Sequence, residues 1–375
     1  MINTSLPGWK DKPLFTPGPL TTSATVKQAM LHDLGSRDDA FIAVVRDIRE
    51  RLVRLATRNT DAFVAVPVQG SGTYAVEAVF SSCVPPSGKV LVLANGAYGE
   101  RMVNILQTLR IAHEVLRFSE DMVPDSNAVR LALDDMSITM VAMVHCETTT
   151  GILNPLDAIG AQVREAKRQF FVDAMSSFGG LPIDLDECGI DYLVSSANKC
   201  IEGVPGFSFV IARNQLIEKT IGWSRSLCLD LHSQWRGLEE NGQFRFTPPT
   251  HALLAFHQAL LELESEGGVE AREKRYRDNH AALLEGMTRM GFKTFLSREL
   301  QGPIITSFCY PEHPNFEFVK FYRLLNERGY VIYPGKVAQA DCFRIGTIGR
   351  IGKSDIDDLL HAIFSVLHTM NIRLV

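Results

Sequence analysis

The first half of the chain alternates short apolar runs with longer segments whose apolar positions recur at helical spacing. Val90 to Leu93 reads as a strand after the turn residues Pro85, Pro86, Ser87 and Gly88. Thr139 to His145, Phe170 to Asp173, Tyr192 to Ser195 and Phe207 to Ala212 continue the series. These runs are continuously apolar rather than alternating, which is the pattern of strands covered on both faces. Helical stretches lie between them, such as Asp157 to Arg168 behind the Asn154-Pro155 stop. Strand and helix in this order predict an α/β domain: a mostly parallel sheet flanked by helices.

Past about residue 254 the rhythm changes. Leu254 to Glu266 reads as a strong helix ended by Gly267-Gly268, and Val269 to Met290 as a long charged amphipathic helix. Then come Ile304 to Tyr310, a helix near Phe316 to Arg328, the strand Tyr330 to Tyr333, Cys342 to Ile345, and a terminal helix. Ser354 is the expected N-cap of that helix, with Asp355, Asp357 and Asp358 at the positive end of its dipole. The division this implies is an N-terminal segment 1–20, a large domain 21–264 and a smaller C-terminal α+β domain 265–375.

Composition narrows the classes. The chain has 375 residues, 46% hydrophobic and 22% charged, enough apolar mass for a large core. A formal net charge of -5 gives no basic footprint for nucleic acid. No apolar run is long enough to cross a bilayer, and the first fifteen residues carry Pro, Gly and charge where a signal peptide needs an apolar stretch. The expectation is therefore a cytoplasmic protein binding neither nucleic acid nor membrane. The seven cysteines, at 83, 146, 188, 200, 228, 309 and 342, form no CxxC pair, so neither a metal site nor a disulfide framework is expected.

Candidate chemistry collects at the predicted strand ends. Lys199 follows the strand at Tyr192, where open α/β sheets place ligands, and burial there lowers a lysine's pKa and makes its amine nucleophilic. A lone lysine after a strand is usually a solvated surface residue; its partners change that reading. Asp173 ends the strand Phe170 to Asp173, where a carboxylate is costly unless it meets a cation or donors. It could cap the next turn through Ser176 or Ser177, or hold a protonated ring nitrogen. Ser71-Gly72-Thr73 opens the helix predicted over Ala75 to Ser82, offering N–H groups and hydroxyls to a phosphate monoester. It lacks the GK[ST] ending of a triphosphate loop and does not match GxGxxG. Tyr98 follows the strand at Val90 and can stack on a flat heterocycle. Thr148, after the strand at Thr139, offers a hydroxyl to a ring oxygen. Arg344, within a short apolar strand, suits a carboxylate or phosphonate through its planar fork, or makes a structural ion pair.

The wording around these residues resembles a known family. FTPGPL from Phe15, QGSGTYAVEAVF from Gln69, NGAYGERM from Asn95, MVHCETTTGILNP from Met143, VDAMSSFGG from Val172 and YLVSSANKCIEGVPGF from Tyr192 carry the likeness. So do RFTPPTH from Arg245, VIYPGK from Val331 and CFRIG from Cys342. Together they resemble the 2-aminoethylphosphonate–pyruvate aminotransferases, class-V members of the fold-type I pyridoxal-phosphate enzymes, over about Leu14 to Ile348. The resemblance implies a large cofactor-binding domain and pyridoxal 5′-phosphate carried on Lys199, which also moves the proton. It implies Asp173 as partner of the ring nitrogen, Tyr98 as the stacking ring, and Ser71, Gly72 and Thr73 at the phosphate. Thr148 would lie near the ring hydroxyl and Asn198 beside the lysine. Thr250 of a neighbouring subunit, or more weakly Thr247, would complete the phosphate site, which implies a homodimer. Arg344 would grip the acidic group of the substrate, helped by Thr16 and Gly18, with Arg225 and Arg37 as other cations. The implied reaction is ping-pong: 2-aminoethylphosphonate leaves as phosphonoacetaldehyde and pyruvate as L-alanine, within phosphonate degradation. Rival readings on the same fold are an alanine–glyoxylate or serine–pyruvate aminotransferase, and a cysteine desulfurase with Cys342 as nucleophile. A binding module without cofactor is a third rival, set against the presence of both Lys199 and Asp173.

Overall fold

A computed structural model describes residues 11–374; the first ten residues of the expected N-terminal segment, and Val375, lie outside them. Seven strands form the central sheet: β1 (Phe63–Gln69), β2 (Lys89–Ala94), β3 (Ala112–Arg117), β4 (Ile138–Val144), β5 (Gln169–Asp173), β6 (Tyr192–Ser196) and β7 (Phe207–Arg213). Their spatial order is β1-β7-β6-β5-β4-β2-β3. β6, β5, β4, β2 and β3 run parallel, and β7 runs antiparallel to both of its neighbours. The five expected apolar runs all lie in this sheet, within a residue or two of their observed bounds. Phe171 and Phe209 are fully buried, and Phe80 meets Phe171 edge-on at 5.1 Å, packing of the kind that contributes about 1.5–3 kcal/mol per buried large side chain.

Two strands were not among those expected from the sequence. β1 contains Pro67, which suits an edge strand where its missing N–H costs no ladder bond. β3 (AHEVLR) is the opposite edge and half-exposed, so it has no continuous apolar run.

The longer helices include α1 (Asp39–Ala56), α2 (Gly72–Cys83), α3 (Ala97–Thr108), α4 (Leu156–Glu165), α5 (Thr250–Glu266), α6 (Gly268–Arg289), α7 (Phe318–Glu327) and α8 (Lys353–Thr369). A second sheet pairs β8 (Ile305–Cys309) and the two-residue β9 (Tyr333–Pro334) on either side of β10 (Cys342–Gly346), all antiparallel. The expected strand Tyr330 to Tyr333 is thus shorter and later, because Pro334 and Gly335 hold the chain against β10 only at its edge. The cap of α8 is Gly352 rather than Ser354: the Asp355 carboxylate accepts the Gly352 N–H at 2.8 Å.

Apolar side chains gather in a small cluster of Leu20, Cys146, Leu181, Cys200, Tyr276, Ile304 and Ile348 and in two large ones. One spans Val26 to Leu263 around the large sheet; the other holds Phe15 and residues from Leu283 to Ile372 around Phe343. α6 packs against α5 and also against α8, bridging the two. No helix among the described residues is long and apolar enough to cross a membrane.

Candidate active site

The parallel strands β2, β4, β5 and β6 end on one edge of the sheet, and the segments leaving them carry Tyr98, Thr148, Asp173 and Lys199 in turn. Ligands bind at this edge in open α/β sheets because the strand ends leave a crevice between helices. A cavity of about 220 Å³ opens there, lined by Ser71, Gly72, Thr73, Tyr98, Arg101, Asp173, Met175, Asn198 and Lys199 among others. Seven of the residues singled out from sequence thus meet in one space.

Lys199 is partly buried, and the desolvation lowers its pKa, although Tyr98, Cys200 and Asp173 pull the other way. Its Nζ donates to the Pro17 carbonyl at 2.6 Å. The loop that supplies this carbonyl comes close because residue 18 is glycine: at φ +116° it adopts a left-handed conformation, and a β-carbon would lie 2.7 Å from Lys199 Cδ. Thr16 is buried behind it, its hydroxyl donating to the Pro19 carbonyl.

Asp173 faces the same cavity. Burial pushes its carboxyl up to about 6, against the Met175 N–H, which donates to Oδ1 at 2.9 Å, and the nearby Lys199 and Arg101. Oδ2 accepts no hydrogen bond from any described residue, so a free acceptor lines the cavity. At the other end, α2 begins at Gly72. The Ser71 side chain makes no capping bond, and the Gly72 and Thr73 N–H groups point out of the first turn without helical acceptors. That turn is a ready anion cradle.

Arg101 completes the cradle, and the sequence reading missed it. It lies one helical turn beyond Tyr98, with its guanidinium 4.6 Å from the Tyr98 ring centroid and Nη1 donating to Thr73 Oγ1 at 3.1 Å. It makes no ion pair with a described carboxylate. Its position five residues after a strand-end glycine (Gly96-Ala97-Tyr98-Gly99-Glu100-Arg101) was the available signal. Glu147 was also missed. It is fully buried and accepts the Tyr98 and Gly99 N–H groups at 3.0 and 3.3 Å, capping the helix that carries Tyr98.

Thr148 stands differently from the expectation. It does not line the Lys199 cavity: its side chain faces the Tyr98 hydroxyl, and its carbonyl accepts Arg344 Nη1 at 2.7 Å. Arg344 is buried in β10, with Nε donating to the Pro334 carbonyl at 3.0 Å and its guanidinium 5.8 Å from the Tyr333 ring. Its expected alternative, a structural ion pair, is absent among the described residues. Thr247 and Thr250 lie away from the cavity within one chain; Thr247 lines a separate cleft with Arg37 and Phe246. Arg225 ties down a loop, donating to the Ser81, Val84 and Pro85 carbonyls at 3.2, 3.0 and 3.3 Å. Cys342 sits in β10 against Cys309, and burial with that neighbouring thiol pushes it up to about 12, leaving little thiolate for nucleophilic chemistry.

The residues fit a flat pyridine carrying a phosphate ester: an amine, a free carboxylate oxygen for a protonated ring nitrogen, an aromatic ring and an anion cradle surround one cavity of suitable size. Cations outnumber carboxylates there, with Lys199, Arg101 and Arg344 against Asp173 and Glu147, and burial raises both acids. The site is built for anions.

Fold and site together define a fold-type I aminotransferase. The class-V aminotransferase model matches residues 22–342, and the chain belongs to that family. Among its relatives, the 2-aminoethylphosphonate–pyruvate transaminase of Salmonella heidelberg (strain SL476) is 54% identical over 360 residues, covering 95% of this chain and 98% of its own. The transaminase of the same name from Salmonella paratyphi C (strain RKS4594) is 54% identical over 358 residues, covering 95% and 97%. Solved structures share the fold. The alanine–glyoxylate aminotransferase of Nostoc sp. superposes with a TM-score of 0.88 at 28% identity, covering 97% of each chain. The ureidoglycine–glyoxylate aminotransferase of Bacillus subtilis superposes with a TM-score of 0.88 at 26% identity, covering 98% of this chain and 95% of that one.

Proposed function

We propose that this chain moves the amino group of 2-aminoethylphosphonate to pyruvate, giving phosphonoacetaldehyde and L-alanine, with pyridoxal 5′-phosphate as cofactor. The observation that carries the reading is Lys199 and Asp173 facing one buried cavity at the N-terminus of α2. The kinship at 54% identity selects the substrate pair.

When bound, pyridoxal phosphate supplies an aldehyde that exchanges amino groups and a ring that accepts electrons from the carbon bearing nitrogen. Ser71, Gly72, Thr73 and Arg101 hold its phosphate, Tyr98 covers one face of its ring, and Asp173 keeps the ring nitrogen protonated. Asn198 borders the lysine. Thr148 acts through Tyr98 and Arg344 rather than on the ring itself. Lys199, which burial shifts toward the neutral amine so that it can take up a proton and give it back, carries the proton between carbons. Arg344 grips the acidic group of the donor and of pyruvate, with the Thr16–Gly18 loop closing beside it.

The working unit is a homodimer in this reading. Thr250, or Thr247, reaches the phosphate end from the partner subunit, since neither does so within one chain. The exposed Tyr74 next to Thr73 and the exposed Phe246 next to Thr247 offer the apolar surface such a contact covers.

The test is a coupled assay of alanine formation from 2-aminoethylphosphonate and pyruvate, with taurine, β-alanine and serine as competing donors. 2-Aminoethylphosphonate is expected to lead by a wide margin. Faster turnover of alanine or serine with glyoxylate would overturn the substrate assignment and favour the glyoxylate-type reading.

A further inference from the structure

A phosphonate near neutral pH carries up to two negative charges, and Arg344 carries one positive charge. Arg344 also has Nε and one Nη1 hydrogen committed to the Pro334 and Thr148 carbonyls, which leaves three of its five N–H donors for a ligand. A dianion in this crevice calls for a second cation that is not already neutralised.

The segment after β9 supplies one. Tyr333 and Pro334 pair with Arg344 and Phe343. Gly335 then lies flat on β10, where a β-carbon would overlap the Cys342 carbonyl. Only glycine permits this approach, and Lys336 follows it beside Tyr98, one of the residues that line the cavity. There Lys336 Nζ stands 5.2 Å from the centroid of the Tyr98 ring. Beyond it the chain is fastened to the other domain: the Ala338 N–H donates to Glu120 Oε2 at 2.8 Å, and Gln339 Nε2 to Ser119 Oγ at 3.2 Å. Lys336 is therefore carried on a loop held at both ends, beside the ring that shares the cavity with Lys199. It makes no ion pair within 4.0 Å of any described carboxylate. Glu120, an acid on the facing segment, is engaged by the loop backbone instead. Lys336 is exposed, so its charge is open to a ligand entering beside Tyr98.

We infer that Lys336 is the second cation for the phosphonate group, and the residue by which the site prefers a dianionic head group to a monoanionic carboxylate. This rests on the proposed donor, 2-aminoethylphosphonate. Coulomb attraction to one added charge is twice as large for a dianion as for a monoanion. Losing Lys336 should therefore weaken binding by a factor for the dianion that is about the square of the factor for the monoanion. About tenfold for a phosphonate, or about 1.4 kcal/mol, corresponds to about threefold for a carboxylate.

The test uses holoenzyme with Lys336→Met and Lys336→Arg. Ethylphosphonate, an unreactive dianion at pH 8.5, and propionate, its monoanionic counterpart, are titrated calorimetrically, and the KM values of 2-aminoethylphosphonate and pyruvate are measured alongside. The Met variant should bind ethylphosphonate about tenfold more weakly and propionate about threefold more weakly. The KM of the aminophosphonate should rise more than that of pyruvate, and the Arg variant should restore wild-type behaviour within about twofold. Equal losses for both ligands, or ethylphosphonate binding within twofold of wild type in the Met variant, would overturn the role of Lys336. Wild-type enzyme that binds ethylphosphonate no better than propionate and does not turn over 2-aminoethylphosphonate would overturn the proposed donor, and this inference with it.

Discussion

Asp173 should make the cofactor-free protein less stable than a neutral residue would. Its carboxyl is raised from an ordinary 3.8 to about 6, chiefly by burial. In the unfolded chain the group ionises freely near 3.8; in the folded chain it ionises only near 6. Between those values the folded state binds more protons, so stability falls as pH rises through the window from about 4 to about 6, and stays lowered above it. At 1.36 kcal/mol per pH unit the full penalty is about 3 kcal/mol. Asp173→Asn removes the charge and keeps an oxygen for the Met175 N–H. In a chain of this length, with unfolding entropy near 2.1 cal/mol/K per residue, about 3 kcal/mol raises Tm by about 4 °C. Thermal melts of cofactor-free wild type and variant at pH 8 and pH 5, at one protein concentration, measure it. The expected gain is about 4 °C at pH 8 and about half that at pH 5. With cofactor the advantage of the variant should shrink to about 1.5 kcal/mol or less, because a charge-assisted hydrogen bond of about 1.5–3 kcal/mol to the ring nitrogen is lost. A variant that melts lower than wild type at pH 8 without cofactor would refute the reasoning.

Other substitutions test the neighbouring parts. Lys199→Ala should retain cofactor, detected by absorbance after gel filtration, yet lose amino transfer; sustained turnover would remove Lys199 from its assigned role. Arg344→Ala should raise the KM of both 2-aminoethylphosphonate and pyruvate, and unchanged KM values would count against the clamp. Arg101→Met should raise the dissociation constant of the cofactor by about tenfold or more, in line with loss of one charged hydrogen bond, as read by fluorescence titration; pyridoxal lacking the phosphate should show no such change. Phe343→Ala should cost about 3–5 kcal/mol in denaturant titrations, since Phe292, Phe308 and Phe321 lie with ring centroids 5.6, 5.8 and 5.4 Å from it in the small core.

What could be read in the sequence follows from where the information is local. The central strands announced themselves because burial on both faces forces continuous apolar runs, and Asp173 and Lys199 stood out as polar residues at the ends of such runs. The edge strands β1 and β3 did not, because one has a proline and the other faces solvent. Arg101 was hidden in a segment read for its tyrosine: an arginine on a helix is ordinary until the fold turns it toward Thr73. Glu147 was hidden likewise, because its value lies in capping a helix that begins fifty residues earlier. The backbone of Thr148, which accepts from Arg344, left no mark at all, since a carbonyl acceptor is the same in every residue type. Thr247 and Thr250 mark a different limit, because a site shared between subunits has no complete geometry in one chain.

The two halves of the site are also tied together away from the cavity, by a buried charge network. Arg272 is fully buried and donates to the carbonyl of Cys200, the residue after Lys199, and to Glu266 at 2.7 Å. Arg275 donates to Glu202 at 2.7 Å and to the Ile351 carbonyl at 3.2 Å, five residues beyond the end of β10. Glu202 also accepts from the Tyr276 hydroxyl at 2.7 Å, and holds a left-handed backbone at φ +66° that a non-glycine residue adopts only when its surroundings fix it. The strand with Arg344 and the loop with Lys199 are thus both anchored on one turn of α6. Separating them would break a guanidinium hydrogen bond to the Ile351 or the Cys200 carbonyl, at about 1.5–3 kcal/mol each. The network thus holds the strand that carries the anion clamp and the loop that carries the lysine against the same helix, which fixes the spacing between Arg344 and Lys199 without any contact inside the cavity.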